Sequence, residues 1–250
     1  MEIFTQSGLL GSFRLLHILA AVVWMGLLYF FNFIQTPAYA EMKPAARNNA
    51  FDKVTWRALW WFRWGSVATW VTGLLILAVG AMGDIKIYNG AFFKSPRGMV
   101  FSTAFLFAFI MLYNVWMVIW RAQQVVIANA RAVQGGGEAN PDAPKSERAG
   151  AMASRQNTIF SFTVFMAMVG TTFLFATDHW ASEVAGGKRI VWWLIMIAIA
   201  VVMEMNALGK FGTEVGKPNT LMYDTHKNAI IAASGLAVFV YVLAEILLRA

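Results

Sequence analysis

The chain has 250 residues and no cysteine; 59% of its residues are hydrophobic and 13% are charged, with a net charge of +7. Soluble domains carry about 45–50% apolar and about 25% charged residues. The composition therefore excludes an ordinary soluble domain and predicts an all-α polytopic membrane protein in contact with the lipid bilayer. The lack of cysteine excludes disulfides, iron–sulfur clusters and the covalent attachment of a c-type haem within the chain.

Six apolar stretches are long enough to cross the hydrocarbon of a membrane as helices. They are residues 12–35, 59–82, 99–121, 157–178, 190–209 and 227–248. The third is expected to continue beyond Arg121, through Arg131, as an amphipathic helix in solvent. A stretch rich in Gly and Pro then predicts a cytoplasmic linker over 134–155. Because no internal repeat is found, the sequence predicts one membrane domain, 1–250, built as a bundle of about six transmembrane helices.

Lysine and arginine are divided unequally between the two sides of this predicted bundle. One side carries 13 of them: Lys43, Arg47, Lys53, Arg57, Arg63, Arg121, Arg131, Lys145, Arg148, Arg155, Lys210, Lys217 and Lys227. The other carries 7: Arg14, Lys86, Lys94, Arg97, Lys188, Arg189 and Arg249. The positive-inside rule places the first group in the cytoplasm and both termini in the periplasm of a bacterial inner membrane. Since the positive charge lies in short loops, it indicates orientation and not a nucleic-acid partner.

Two of the three histidines lie on the same predicted side of the membrane, each near one end of an apolar stretch. His17 lies inside the first stretch, and His179 closes the fourth in the sequence Thr177-Asp178-His179-Trp180. An imidazole in hydrocarbon is costly without a partner, and a haem iron accepts two neutral imidazoles from facing helices. We therefore predict haem b between His17 and His179, with both as iron ligands. The alternative is that His17 hydrogen-bonds a neighbouring helix while His179 lies in the headgroup layer.

Other residues near this predicted haem suit the same interpretation. Trp24 follows His17 by seven residues and so lies on about the same helical face. Arg14, Lys188 and Arg189 fall at the predicted periplasmic surface, where they are expected to pair with the haem propionates. Trp24, Arg14 and Arg189 are therefore predicted to bind the cofactor together with the two histidines.

A second set of polar residues lies toward the predicted cytoplasmic side. It consists of Asn32, Gln35, Asn114, Asn157, Glu204, Asn206 and His226. Glu204 is the most informative member, because a carboxylate inside a span is costly unless it is protonated or paired. The set is suited to binding a proton, an ion, a small polar substrate or a second cofactor. Hydrogen bonding between helices is the simpler interpretation, and the sequence favours it.

Several short motifs resemble the membrane domain of the cytochrome c-linked bacterial urate hydroxylases, the membrane-bound urate oxidases. They are Arg14-Leu15-Leu16-His17-Ile18-Leu19-Ala20 with Trp24-Met25-Gly26, Trp61-Phe62-Arg63-Trp64, Ser154-Arg155-Gln156-Asn157-Thr158 and Asp178-His179-Trp180. The motif around His17 is also similar to that of haem-binding bacterial protoporphyrinogen oxidases and of copper-resistance membrane proteins. The resemblance implies a haem held by His17 and His179.

In the urate hydroxylase family a periplasmic cytochrome c follows the membrane domain. This chain has no haem c motif, so the cytochrome is expected to be a separate subunit. The sequence thus predicts a haem b redox protein that exchanges electrons with a periplasmic cytochrome c or a respiratory complex. If the protein is catalytic, the expected class is a cytochrome c-linked oxidoreductase. The alternatives are a non-catalytic scaffold subunit of a larger membrane complex and a metal-transport protein. The absence of cysteine and of tight methionine clusters disfavours metal transport.

Overall fold

The computed structural model describes residues 2–175, 180 and 183–249, and within these ranges all regular secondary structure is helical. The long helices are α1 (Gln6–Glu41), α2 (Pro44–Ala81), α3 (Pro96–Gln134), α4 (Ala143–Gly170), α5 (Gly186–Ala207) and α6 (His226–Leu247). A 3-10 helix, Glu2–Phe4, precedes α1, and the short helices Gly90–Lys94 and Leu221–Asp224 precede α3 and α6.

Side-chain caps fix where three of the long helices begin. The hydroxyls of Thr5, Ser95 and Thr225 each accept a hydrogen bond from a backbone N–H in the first turn of α1, α3 and α6. Such caps satisfy donors that have no partner within the helix. Pro96 is the first residue of α3, where a missing N–H costs nothing.

Within the described residues, five helices are long and apolar enough to cross a membrane: α1, α2, α3, α5 and α6. The chain is therefore a multi-pass membrane protein, but the predicted count of about six spans is not confirmed. The exception is α4, whose first half is polar. Gln156, Asn157 and Thr158 of α4 are nonetheless fully buried. Other parts of the protein cover these side chains, so the polar middle of α4 is buried within the protein.

The bounds of α4 also differ from the predicted ones. The helix begins at Ala143, so the linker predicted over 134–155 is much shorter in the structure. The reason is tertiary: Gly150 of α4 lies against Ala122 of α3, and an added Cβ at Gly150 would be 3.1 Å from the Ala122 Cβ. The predicted continuation of α3 past Arg121 is confirmed, because that helix continues to Gln134. It does not lie wholly in solvent, since Ala122, Val126 and Ile127 are buried.

Helices α1 and α2 contact each other near both ends of α1, and these contacts identify the two ends of the bundle. Near the start of α1, the amide of Gln6 donates to the Val79 carbonyl of α2 over 2.8 Å. Near the end of α1, Gln35 accepts from Thr55 at the start of α2 over 3.1 Å. We call the end where α1 begins the first end, and the end where α1 meets α2 the second end. The first end is the side that the loop charges predict to be periplasmic.

Three segments inside the long helices are π-helical. They are Phe30–Gln35 in α1, Phe51–Thr55 in α2 and Asn114–Ile119 in α3. A π segment adds a residue to the turn and changes the direction in which the following side chains point, and such segments are frequent at functional sites. Here they carry Asn32, Gln35 and Asn114, all of which belong to the polar set that the sequence analysis identified.

Candidate functional sites

His17 lies on the face of α1 that contacts α2. Its Nδ1 is 2.8 Å from the carbonyl oxygen of Thr69 and 3.2 Å from the hydroxyl oxygen of Thr72. A carbonyl can accept but not donate, so Nδ1 carries the hydrogen and Nε2 carries the lone pair. His17 Nε2 makes no hydrogen bond with any residue that the structure describes. This is the tautomer in which a histidine binds a metal through Nε2 while a backbone carbonyl orients the ring.

The rest of the α1–α2 contact holds His17 and Trp24 closely against α2. An added Cβ at Gly73 would lie 3.1 Å from Cε1 of His17, and one at Gly65 would lie 3.3 Å from the backbone nitrogen of Trp24. The glycines therefore allow both residues to approach the α2 backbone. Trp24 is fully buried, and its Nε1 has no acceptor among the described residues. A buried indole N–H normally has a partner.

The remaining residues predicted at the haem are not drawn together with His17 by any contact that the structure describes. Arg14 is exposed at the first end. Arg189 donates to the carboxylate of Glu183 over 3.1 Å, and Lys94 lies 3.4 Å from the same oxygen. His179 lies outside the described residues, so its predicted pairing with His17 stays a prediction. Elsewhere in the described chain, no group of three or more His, Asp or Glu side chains is placed to hold a metal ion.

The polar set separates into three groups, of which the first lies between α3, α4 and α5. Asn157 donates to the Met111 carbonyl over 2.9 Å, which leaves its Oδ1 to accept from Asn114 over 3.1 Å. The same Asn114 amide donates to Glu204 over 3.0 Å. Asn114, Asn157 and Glu204 thus form a polar trio whose donor and acceptor directions are fixed by the Met111 carbonyl.

Acceptor and donor atoms beside this trio have no partner among the described residues. They are Oδ1 of Asn114, Oε1 of Glu204 and Nε2 of Gln156, all of them buried. The Tyr223 hydroxyl donates to Gln156 over 2.6 Å. Burial and the nearby Glu204 carboxylate raise the pKa of the Tyr223 phenol, so Tyr223 remains protonated and keeps donating. The arrangement is suited to holding internal water or a proton next to Glu204.

The second group lines a pocket of about 230 Å³ at the second end, between α1, α2, α3 and α4. Asn32 contributes one wall, where its amide donates to the Ser154 hydroxyl over 2.8 Å. Gln35 contributes another and accepts from Thr55. Residues from all three π segments lie in the walls. The pocket therefore depends on irregular turns that a periodic sequence pattern does not show.

The third group lies at the end of α5 and the start of α6. The side-chain amides of Asn206 and Asn219 are hydrogen-bonded, with Asn219 Nδ2 donating to Asn206 Oδ1 over 3.3 Å. His226 is the first residue of α6, next to its cap Thr225. For these two members of the set, Asn206 and His226, the structure supports the simpler interpretation of local structural roles.

The sequence does not predict the place of Arg155 in the pocket. The loop-charge pattern predicts it on the cytoplasmic surface, yet it is 8% exposed and lines the pocket. The signal that marks it is its place in an uninterrupted polar run, Arg155-Gln156-Asn157-Thr158, directly before an apolar stretch. Such a run is consistent with either a loop or a buried helix, and only the packing of α4 decides between them.

Comparisons with protein-family models, with curated proteins and with solved structures gave no match for this chain. The resemblance to the urate hydroxylase membrane domains therefore depends on the short sequence motifs alone.

Proposed function

We propose that this protein is a haem b redox protein of the bacterial inner membrane, with His17 as an axial ligand of the iron. The orientation of the His17 ring is the observation that carries the proposal. Its Nδ1 donates to the Thr69 carbonyl, and its Nε2 has no partner among the described residues. Histidines that bind metals are usually oriented in this way, because the second hydrogen bond fixes both the tautomer and the direction of the lone pair.

His179 is proposed as the second ligand, on the strength of the sequence motif. Its neighbour Trp180 is buried and lies edge-on to Phe175 with ring centroids 4.9 Å apart. When bound, a haem b supplies one-electron transfer, and burial among apolar side chains helps to set its potential. Trp24 offers an unpartnered N–H on the same face of α1 as His17.

The surface cations have different parts in this proposal. Arg14 is exposed and available to a haem propionate, whereas Arg189 is already paired with Glu183 and would have to exchange that partner. Glu183 also lies near Lys94, so the carboxylate would keep a cation after such an exchange. We therefore assign the larger propionate role to Arg14.

The loop charges support an orientation with the first end, and hence His17, on the periplasmic side. A haem there would exchange electrons with a separate periplasmic cytochrome c or with a subunit of a respiratory complex. The motif resemblance to urate hydroxylase membrane domains supports the same kind of partner and makes a cytochrome c-linked oxidoreductase the proposed reaction class.

The test is a reduced-minus-oxidised absorption spectrum of the protein, expressed with haem supplied and purified in detergent. We expect a b-type band, and we expect His17→Ala to abolish it because the variant lacks the Nε2 ligand. His226→Ala is the matched control, since it removes an imidazole at the second end, and its band should be unchanged. A folded wild-type protein without a chromophore would contradict the proposal and favour a scaffold role. An equal loss in both variants would also contradict it.

A further inference from the structure

The pocket at the second end contains a buried cation without an ion-pair partner. Arg155 is 8% exposed, its Nε has no hydrogen-bond partner, and no carboxylate among the described residues lies within 4.0 Å of its guanidinium. One NH group of Arg155 donates to the Tyr223 carbonyl. A buried guanidinium without a counter-charge is costly, so the arrangement calls for an anion.

Asp224 is an acidic residue near Arg155, but its two carboxylate oxygens already accept hydrogen bonds from other donors. One of its oxygens accepts from Arg148 over 2.7 Å, and the other accepts from the backbone N–H of Gly216 over 2.8 Å. Two arginines, Arg148 and Arg155, therefore share the field of a single acid. Arg155 also lines the pocket.

A chain of hydroxyl groups orients a second donor in the same pocket. The single hydroxyl hydrogen of Thr55 is donated to Oε1 of Gln35 over 3.1 Å. The hydroxyl oxygen of Thr55 therefore accepts from Tyr39, whose oxygen is 2.9 Å away. This chain fixes the side-chain amide of Gln35, and its Nε2 makes no hydrogen bond with any described residue. Gln35 Nε2 and Arg155 are thus both available to one ligand.

Part of the remaining wall is apolar, beside the polar lining residues Asn32, Thr36, Gln123 and Ser154. Phe31, Phe51 and Leu59 are buried around the pocket, and the rings of Tyr39 and Phe51 meet edge to face at 4.9 Å. The volume is about 230 Å³, and an apolar protein cavity of about 150 Å³ is known to hold benzene. A ligand with a small apolar body and one polar end therefore fits these walls.

The charge at the rim limits the ligand to a single negative charge. Arg47 and Glu147 both line the pocket, both are exposed, and they carry opposite charges. Their fields offset one another, so Arg155 is left as the net charge facing the space. One buried cation can neutralise one carboxylate but not two.

We propose that this pocket binds a small monocarboxylate with an apolar body, whose carboxylate pairs with Arg155 and accepts from Gln35 Nε2. The site lies at the opposite end of the bundle from His17, so it is independent of the proposed haem. Its presence or absence leaves the outcome of the spectroscopic test unchanged.

The test measures binding of benzoate to the purified full chain in detergent, by titration calorimetry and by the shift in the thermal unfolding midpoint. Benzamide, which has nearly the same shape but no charge, is the matched probe. We expect benzoate to bind saturably and benzamide to bind at least about tenfold more weakly, because only benzoate can form a charge-assisted pair with Arg155. Equal binding of the two probes would overturn the proposal.

Variants test the two donors separately. Gln35→Glu is expected to weaken benzoate binding at least about tenfold, because it replaces a donor with a like charge. Gln124→Glu makes the same chemical change on an exposed face of α3 outside the pocket and should leave binding unchanged. Arg155→Gln should abolish binding, and Gln35→Glu keeps the test decisive if that variant fails to fold.

Two further probes distinguish the source of the anion. Inorganic phosphate tests a general anion site, and nanodiscs containing phosphatidylglycerol test a lipid headgroup. Neither is expected to displace benzoate, because neither places an apolar body between the aromatic walls. Displacement of benzoate by phosphate, or stabilisation by phosphatidylglycerol with no effect of benzoate, would overturn the proposal.

Discussion

The polar trio of α3, α4 and α5 allows a quantitative prediction for Asn157→Leu. Asn157 makes two hydrogen bonds, and both join α4 to α3: one to the Met111 carbonyl and one from Asn114. Hydrogen bonds between helices in membranes contribute about 0.6 kcal/mol each on average and up to about 1.7 kcal/mol. The variant leaves the Asn114 amide and the Met111 carbonyl without these partners in a fully buried place. We therefore expect the free energy of unfolding to fall by about 1–3 kcal/mol.

Reversible unfolding in mixed detergent, followed by circular dichroism, measures this change. Asn49→Leu is the matched control, because Asn49 is exposed near the start of α2 and the same substitution there should cost less than about 0.5 kcal/mol. The double variant Asn114→Leu with Asn157→Leu should lose less than the sum of the single variants, because both remove the same bond. Equal effects of Asn157→Leu and Asn49→Leu, or full additivity in the double variant, would refute the role assigned to the trio.

Two further predictions concern the ends of the bundle. Asp224→Asn should destabilise the protein by about 2 kcal/mol, because it breaks the mostly buried ion pair with Arg148. Glu245→Gln breaks the more exposed pair with Arg249 and should cost less than about 0.5 kcal/mol. Thermal unfolding of both variants checks this, and similar shifts would contradict it. Ser95→Ala removes the cap of α3 and should cost about 1 kcal/mol by the same measurement; an unchanged midpoint would show that the cap is dispensable.

The sequence predicted the apolar helices well because hydropathy measures what lipid requires. All five helices that the structure shows to be long and apolar enough to cross a membrane coincide with predicted stretches, and α3 continues as an amphipathic helix as expected. The positions of Asn114, Asn157 and Glu204 in one polar set were also predicted, although their contacts were not. Counting residues from the loops was enough to place the three near the same depth.

The parts that the sequence did not predict depend on tertiary contacts. The Gly- and Pro-rich composition placed the start of α4 in a linker, whereas in the structure this segment is helical and buries Gly150, Met152 and Arg155. The π segments have no simple sequence signature, and they determine which side chains meet in the pocket. Arg155 was predicted as a loop charge because its burial depends on the packing of α4 against other helices. The pairing of His17 with His179 remains a prediction, because His179 lies outside the described residues.

The polar face of α4 has a consequence for biogenesis. Charged and polar residues disfavour insertion of a segment by the translocon, and in α4 Arg155 is followed directly by Gln156 and Asn157. Such a segment has little tendency to move from the translocon into lipid without the help of other helices. Its insertion therefore relies on helices synthesised earlier. The main one is α3, because Asn157 donates to its Met111 carbonyl and accepts from its Asn114 amide. The order of synthesis thereby becomes part of the folding mechanism.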